Sequence, residues 1–212
     1  MAIRADLGRR VELVSMDPRC GGISVGLYRR ETSEGPVGVV HSYSNRAGTT
    51  ERLAFIRNAL GVLGGLEVVD GDPDGAVRLL CGAWHNAALK RLFLDCFRVD
   101  PDLPLEPRPL ESNDTRSTQV TRLRSLGGGA YRVESTGGEE GEANRAEPIA
   151  RALVRLVELE RIDETCVAFR CGAAHDELMG LMLVRAQNLR AALREDELTA
   201  SRGVLSAPSG QQ

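Results

Sequence analysis

Two short stretches hold the residues most able to do chemistry, and they are nearly the same stretch. Cys81-Gly82-Ala83-Trp84-His85 is matched by Cys171-Gly172-Ala173-Ala174-His175. A thiol followed four residues later by an imidazole supports several kinds of chemistry. The histidine can act as base for a cysteine nucleophile. A cysteine beside a helix N-terminus also has its thiolate stabilised by backbone N–H groups and the helix dipole. Two copies together supply two thiolates and two imidazoles, the ligand set of a tetrahedral zinc site. That reading requires the two turns to come within bonding reach, and the spacing is not a known zinc-finger arrangement. Packing comes before all of these. Cysteine is among the most buried residue types and closes a strand like a small hydrophobe. A histidine near a helix start can simply bond a backbone carbonyl.

A second matched pair is Ser15-Met16-Asp17-Pro18-Arg19 with Ser112-Asn113-Asp114-Thr115-Arg116. Arg19 and Arg116 suit a bidentate grip on a carboxylate or phosphate. Asp17 and Asp114 would then serve as acid–base groups or metal ligands. The plainer reading is an Asx-turn with a solvated arginine. Asn45-Arg46-Ala47 is matched by Asn144-Arg145-Ala146 and reads as helix entry in both copies. Two residues have no counterpart. His41, set near Asp17 or Cys81, would make a one-sided catalytic site; otherwise it is an ordinary strand residue. Trp84 stands where the second copy has Ala174, so in a pocket lined by the turns it would contact ligand at one end only. Gly127-Gly128-Gly129 lacks a following Lys-Ser/Thr and reads as a hairpin turn.

The three matches are collinear, at offsets of 97, 99 and 90 residues. They point to a duplicated unit of about 95 residues. Counting onward from the cysteines pairs Leu89 with Met179, Leu92 with Met182, Phe93 with Leu183 and Cys96 with Ala186. These positions fall on one helical face in both copies. The shorter last offset places nine missing residues in the loop after the first helix of the second copy.

The elements that must position these motifs follow from periodicity. Strands are expected at Val11–Ser15, Ile23–Arg30, Pro36–Tyr43 and Val77–Leu80, and in the second copy at Thr118–Ser125, Ala130–Glu134 and Cys166–Arg170. A helix is expected from Thr49, capped by Thr49 or Thr50, with Leu53, Ile56, Leu60 and Leu63 inward and Gly64-Gly65 as its stop. Its counterpart starts at Pro148 and buries Ile149, Leu153, Leu156 and Val157. Further helices run from near Trp84 or His85 and over His175–Glu195. The expected fold is α+β: two tandem homologous repeats, each ββ(β)αβα, related by a pseudo-two-fold axis. Each sheet is mainly antiparallel or mixed, with helices on one face. The expected divisions are 1–100 for repeat one, 101–111 for a Pro-rich connector, 112–198 for repeat two and 199–212 for a tail.

Composition bounds the rest. The chain has 212 residues, 42% hydrophobic and 27% charged, an ordinary globular composition. A net charge of −3 gives no reason to expect nucleic acid or a membrane surface as partner. No apolar run approaches a bilayer span, and no secretory leader is visible. The five cysteines fit a reduced, cytoplasmic setting. Cys81 and Cys171 could approach each other across the axis, which spacing alone does not establish. No cofactor is called for, apart from zinc on the ligand-set argument above. The leading expectation is a small, anionic ligand bound between the halves, with enzymatic use of Cys81/His85 or Cys171/His175 left open. The others are an interaction or scaffold protein, which would carry an apolar patch on its helices, and a zinc-stabilised module. Association of chains into a homo-oligomer is compatible with each.

Overall fold

The computed structural model describes residues 25–42, 44, 46–114, 119–136, 142–157 and 159–189. The expected strand at Val11–Ser15, the candidates Asp17, Arg19 and Arg116, and the tail at 199–212 lie outside them.

The first sheet begins with a hairpin. β1 (Val25–Thr32) and β2 (Gly35–Ser42) pair antiparallel from Val25 opposite Ser42 to Thr32 opposite Gly35. The chain then forms α1 (Thr49–Gly64), β3 (Leu66–Val68), β4 (Val77–Leu79) and α2 (Asn86–Cys96). The second sheet starts with β5 (Glu111–Asp114), β6 (Gln119–Gly127) and β7 (Ala130–Thr136). It continues through α3 (Glu142–Val157), β8 (Glu160–Arg161) and β9 (Cys166–Ala168). A last helix, α4, is described over 176–189. Strand order is β1-β2-β4-β3 in one sheet and β5-β6-β7-β9-β8 in the other, and every pairing is antiparallel. This is an α+β protein of two antiparallel sheets with four helices packed on them.

Alternation decides which strand residues face the helices. Leu27 and Val40 sit opposite each other on β1 and β2 and join the main core. Tyr28, Val37, Val39 and Ala76 form a smaller buried cluster. The main core takes Ile56, Leu60 and Leu63 from α1, Leu89, Leu92 and Phe93 from α2, Ile149 and Leu153 from α3, and Met179, Met182 and Leu183 from α4. It is one continuous cluster with members from both sheets. α2 packs against α3, so helices from the two parts of the chain interleave. Arg185 on α4 grips Asp95 on α2 through both carboxylate oxygens, with Nε at 2.6 Å from Oδ2.

Several expectations are corrected. α3 starts at Glu142, so Pro148 lies inside it rather than at its first turn. Proline removes one N–H from the ladder, and this helix keeps its course through it because Ile149, Ala150 and Leu153 beyond it are buried. Asn144-Arg145-Ala146 therefore sits within a helix, whereas Arg46 and Ala47 precede α1; the two stretches do not occupy like positions. α1 and α3 end at Gly64 and Val157, and Glu67 and Glu160 hold like places in their sheets, an offset of 93. The step from 93 to 90 puts a three-residue difference, not nine, in the connection between paired strands. The cap of α1 is Gly48, not a threonine, and Gly65 closes the helix with its N–H on the Gly61 carbonyl. β3, β5 and β8 were not foreseen. They are two to four residues long, too short to show a period.

Candidate metal centre

Each Cys-Gly-Ala-x-His stretch leaves a sheet by the same route. The Gly82 N–H bonds the Leu79 carbonyl at 2.9 Å, and the Gly172 N–H bonds the Phe169 carbonyl at 3.1 Å. Gly82 and Gly172 have φ of 70° and 71°, in the left-handed region that favours glycine. The chain folds back so that the Ala83 N–H points at Cys81 Sγ at 3.3 Å, and the Ala173 N–H at Cys171 Sγ at 3.5 Å. Each helix then opens directly after its histidine. The carbonyls of His85 and His175 accept from Leu89 and Met179 at 2.9 Å.

This puts a sulfur and an imidazole nitrogen side by side in each turn. Cys81 Sγ and His85 Nε2 are 3.5 Å apart; Cys171 Sγ and His175 Nε2 are 3.3 Å apart. The two turns face each other. His85 and His175 have ring centroids 5.0 Å apart, nearly perpendicular. The ligand atoms of Cys81, His85, Cys171 and His175 all lie within 4.8 Å of one another. A tetrahedron with Zn–S near 2.3 Å and Zn–N near 2.0 Å has S···N edges of about 3.5 Å. Both intra-turn distances match that edge.

One residue braces both histidines. Phe169, buried directly after β9, packs edge-on to His85 at 5.1 Å and His175 at 4.6 Å between centroids. Tyr131 supports the second turn from β7. Its hydroxyl accepts the His175 backbone N–H at 2.6 Å and donates to Asp176 Oδ1 at 2.8 Å. Burial raises the Tyr131 phenol, with the Asp176 bond adding to the effect, so it remains a donor. Burial and the neighbouring His85 push His175 down to about 4, so its imidazole is neutral near pH 7, as a metal ligand must be. Burial raises the Cys81 thiol, and nearby Cys171 raises it further. Placing a divalent cation there reverses that balance by attracting both thiolates.

The first turn is supported differently. Four residues before each cysteine stand Val77 and Val167; their partners across the sheet are Gly38 and Tyr131. Where β7 carries Tyr131, β2 has Gly38, and the Trp84 ring lies 3.5 Å from the position of a Cβ on that glycine. Trp84 Nε1 donates to Asn86 Oδ1 at 3.3 Å, as Tyr131 donates to Asp176. Asn86 and Asp176 are both five residues past their cysteines. An aromatic ring thus fills each place and bonds the first residue of each helix, reaching it from the turn in one case and from the strand in the other.

Of the remaining candidates, His41 and Asp114 fall elsewhere and Trp84 stays with the first turn. Gly38 opposite Val77 sends β4 toward the Gly35 end of β2, so Cys81 lies at one end of that strand and His41 at the other. His41 packs edge-on to Tyr28, 6.2 Å between centroids. Trp84 is partly buried, with the Arg29 guanidinium over its ring at 5.8 Å. Asp114 ends β5 opposite Gln119. Phe169 and Tyr131 were not singled out from sequence. Phe169 is two residues before Cys171, whereas Leu79 stands two residues before Cys81, and that difference was the available signal. Among the described residues no helix is long and apolar enough to cross a membrane. Comparison with protein families, curated proteins and solved structures finds no match to this chain.

Proposed function

We propose that this protein is an internally duplicated module clasped by a zinc ion, which Cys81 and His85 of one half and Cys171 and His175 of the other hold together. The observation that carries this reading is the convergence of two thiols and two imidazoles within 4.8 Å, contributed pairwise by turns some 90 residues apart. Four protein ligands fill a tetrahedron and leave no open position, which is the pattern of structural rather than catalytic zinc. The ion's chemistry here is charge neutralisation and cross-linking: its binding free energy becomes folding free energy that ties the two sheets to one another.

Duplication supports the same reading. Both sheets follow the order hairpin, returning strand, edge strand, with β5 added to the second. The two turns share their glycine conformation and N–H···S bonds. Asp95 and Arg185, fourteen residues past their respective cysteines, bond each other, as expected for residues facing each other across a two-fold axis. Of the residues named for the anionic-ligand reading, Asp17, Arg19 and Arg116 lie outside the described residues. A scaffold would expose apolar side chains on its helices. Among the described residues, the exposed large ones, Val68, Leu80, Leu103, Leu126 and Ile162, lie on strands, loops and the connector.

Elemental analysis of the purified chain tests the proposal. One zinc per chain is expected, with cobalt substitution giving the absorption of a tetrahedral S2N2 site. Chelation should lower the unfolding temperature. Substoichiometric metal, together with a melting curve that neither chelator nor added zinc moves, refutes it.

A further inference from the structure

We propose that the pair Cys81 and Cys171 is an oxidation site, at which hydrogen peroxide converts the two thiolates to a disulfide and expels the metal. This rests on the metal reading above, but it concerns what the two sulfurs do to each other rather than to the ion.

Three observations carry it. The sulfurs lie within 4.8 Å of each other, in turns fixed by their own backbone bonds. Tetrahedral zinc draws two thiolates to about 3.8 Å, and a disulfide needs about 2.0 Å, so a movement of about 2 Å, met by side-chain rotation, closes the gap. Both cysteines are also partly exposed, while Cys96 and Cys166 are buried. Among the described cysteines, a small oxidant therefore meets the paired thiols and not the isolated ones. Finally, each sulfur is its partner's nearest thiol on the other turn, so the first oxidation product has a resolving group in place.

The step balances as follows. One thiolate sulfur attacks an oxygen of the peroxide and the O–O bond breaks; that sulfur becomes a sulfenic acid and the departing hydroxide takes a proton to give water. The second thiolate attacks the sulfenic sulfur, the S–S bond forms as the S–O bond breaks, and the departing hydroxide takes a proton to give a second water. Two sulfurs are each oxidised by one electron, and one peroxide is reduced by two. A disulfide sulfur carries no negative charge and holds zinc poorly, so His85 and His175 remain as an incomplete ligand pair and the ion departs. The two halves then stay joined by a covalent bond between the same turns. A thiol reductant and zinc restore the first state.

The test uses the full chain, reduced and zinc-loaded, treated with hydrogen peroxide in the presence of a chromogenic zinc chelator. Released zinc should approach one per chain and rise in step with a Cys81–Cys171 disulfide found by non-reducing peptide mapping. Cys96 and Cys166 should stay reduced in the same digest. Cys171→His keeps four ligands but has no second sulfur, and its zinc release should slow at least tenfold. Peptide mapping of the unsubstituted chain decides the matter even where that variant does not fold. Peroxide that yields sulfinic acid, or disulfides through Cys96 or Cys166, overturns the proposal while leaving the metal reading standing. A chain that takes up no zinc overturns the metal reading and the release step with it. The Cys81–Cys171 bond is then still read directly on the reduced, metal-free chain, where its absence overturns the pairing as well.

Discussion

Replacing Tyr131 with phenylalanine isolates what one hydroxyl does for the second turn. The ring is fully buried, so Tyr131→Phe keeps its packing and removes only the oxygen. That oxygen has two partners of unequal need. The His175 N–H, which it accepts at 2.6 Å, belongs to a buried residue and has no water to turn to. Leaving such a group unpaired costs about 1–3 kcal/mol. Asp176 is exposed, so its carboxylate recovers most of its lost bond from solvent. The expected loss is therefore about 2 kcal/mol, most of it from the backbone N–H. For a domain of this size that lowers the unfolding temperature by about 4–8 °C. The matched change in the first half is Asn86→Ala, which removes the acceptor of Trp84 Nε1. That bond is 3.3 Å long and exposed, and its loss should stay within about 0.5 kcal/mol. Urea unfolding of both variants, with unchanged slope, measures the difference. Equal losses in the two variants, or less than about 0.5 kcal/mol in Tyr131→Phe, would show that the hydroxyl does not hold the turn.

Other outcomes follow from the same geometry. Asp95→Arg sets two guanidiniums against each other across α2 and α4 and should cost about 3–5 kcal/mol, while adding Arg185→Asp should recover all but about 1 kcal/mol, as read by a double-mutant cycle. Phe169→Ala should destabilise by about 3–5 kcal/mol, and Phe169→Leu, which installs the residue that the first half has at this point, by about 1–1.5 kcal/mol in the same urea assay. In the chelator-treated chain His175 stays neutral down to about 4, whereas the unfolded chain protonates it near 6.5; the unfolded state binds the extra proton. Stability of that form should be complete above about pH 6.5 and fall by about 3 kcal/mol as pH drops toward 4, and a flat urea midpoint across that window refutes the assignment. Burial pushes the Cys96 thiol up to about 12, so alkylation of the native metal-free chain should reach Cys81 and Cys171 and spare Cys96 until it unfolds, with added zinc protecting the first two.

Periodicity and turn chemistry made much of the architecture legible. The apolar positions of α1 and α2 appear in the chain at helical spacing, and the same residues are buried, except Leu53, which is half-buried at the edge of the core. Gly65, at the stop read from Gly64-Gly65, has the left-handed conformation that closes a helix. Local signals failed where tertiary contact outweighed them. Pro148 is a good first helical residue, yet burial of the apolar face on either side carries α3 through it. The pairing of β3 and β8 with their neighbours rests on backbone bonds that two or three side chains cannot announce.

The candidate site divides along the same line. The sequence alone supplied the four side chains, their spacing within each turn and the fact that there are two turns. Spacing of cysteine and histidine by four residues, with a glycine free to take positive φ, is a local property, and local properties are written in the order of residues. That the two turns face each other was decided only by the fold. It depends on two sheets sharing one core, on α2 lying against α3, and on a rigid ring at Phe169 set between two imidazoles. Those are contacts between residues far apart in the chain, and they exist only once the helices have packed.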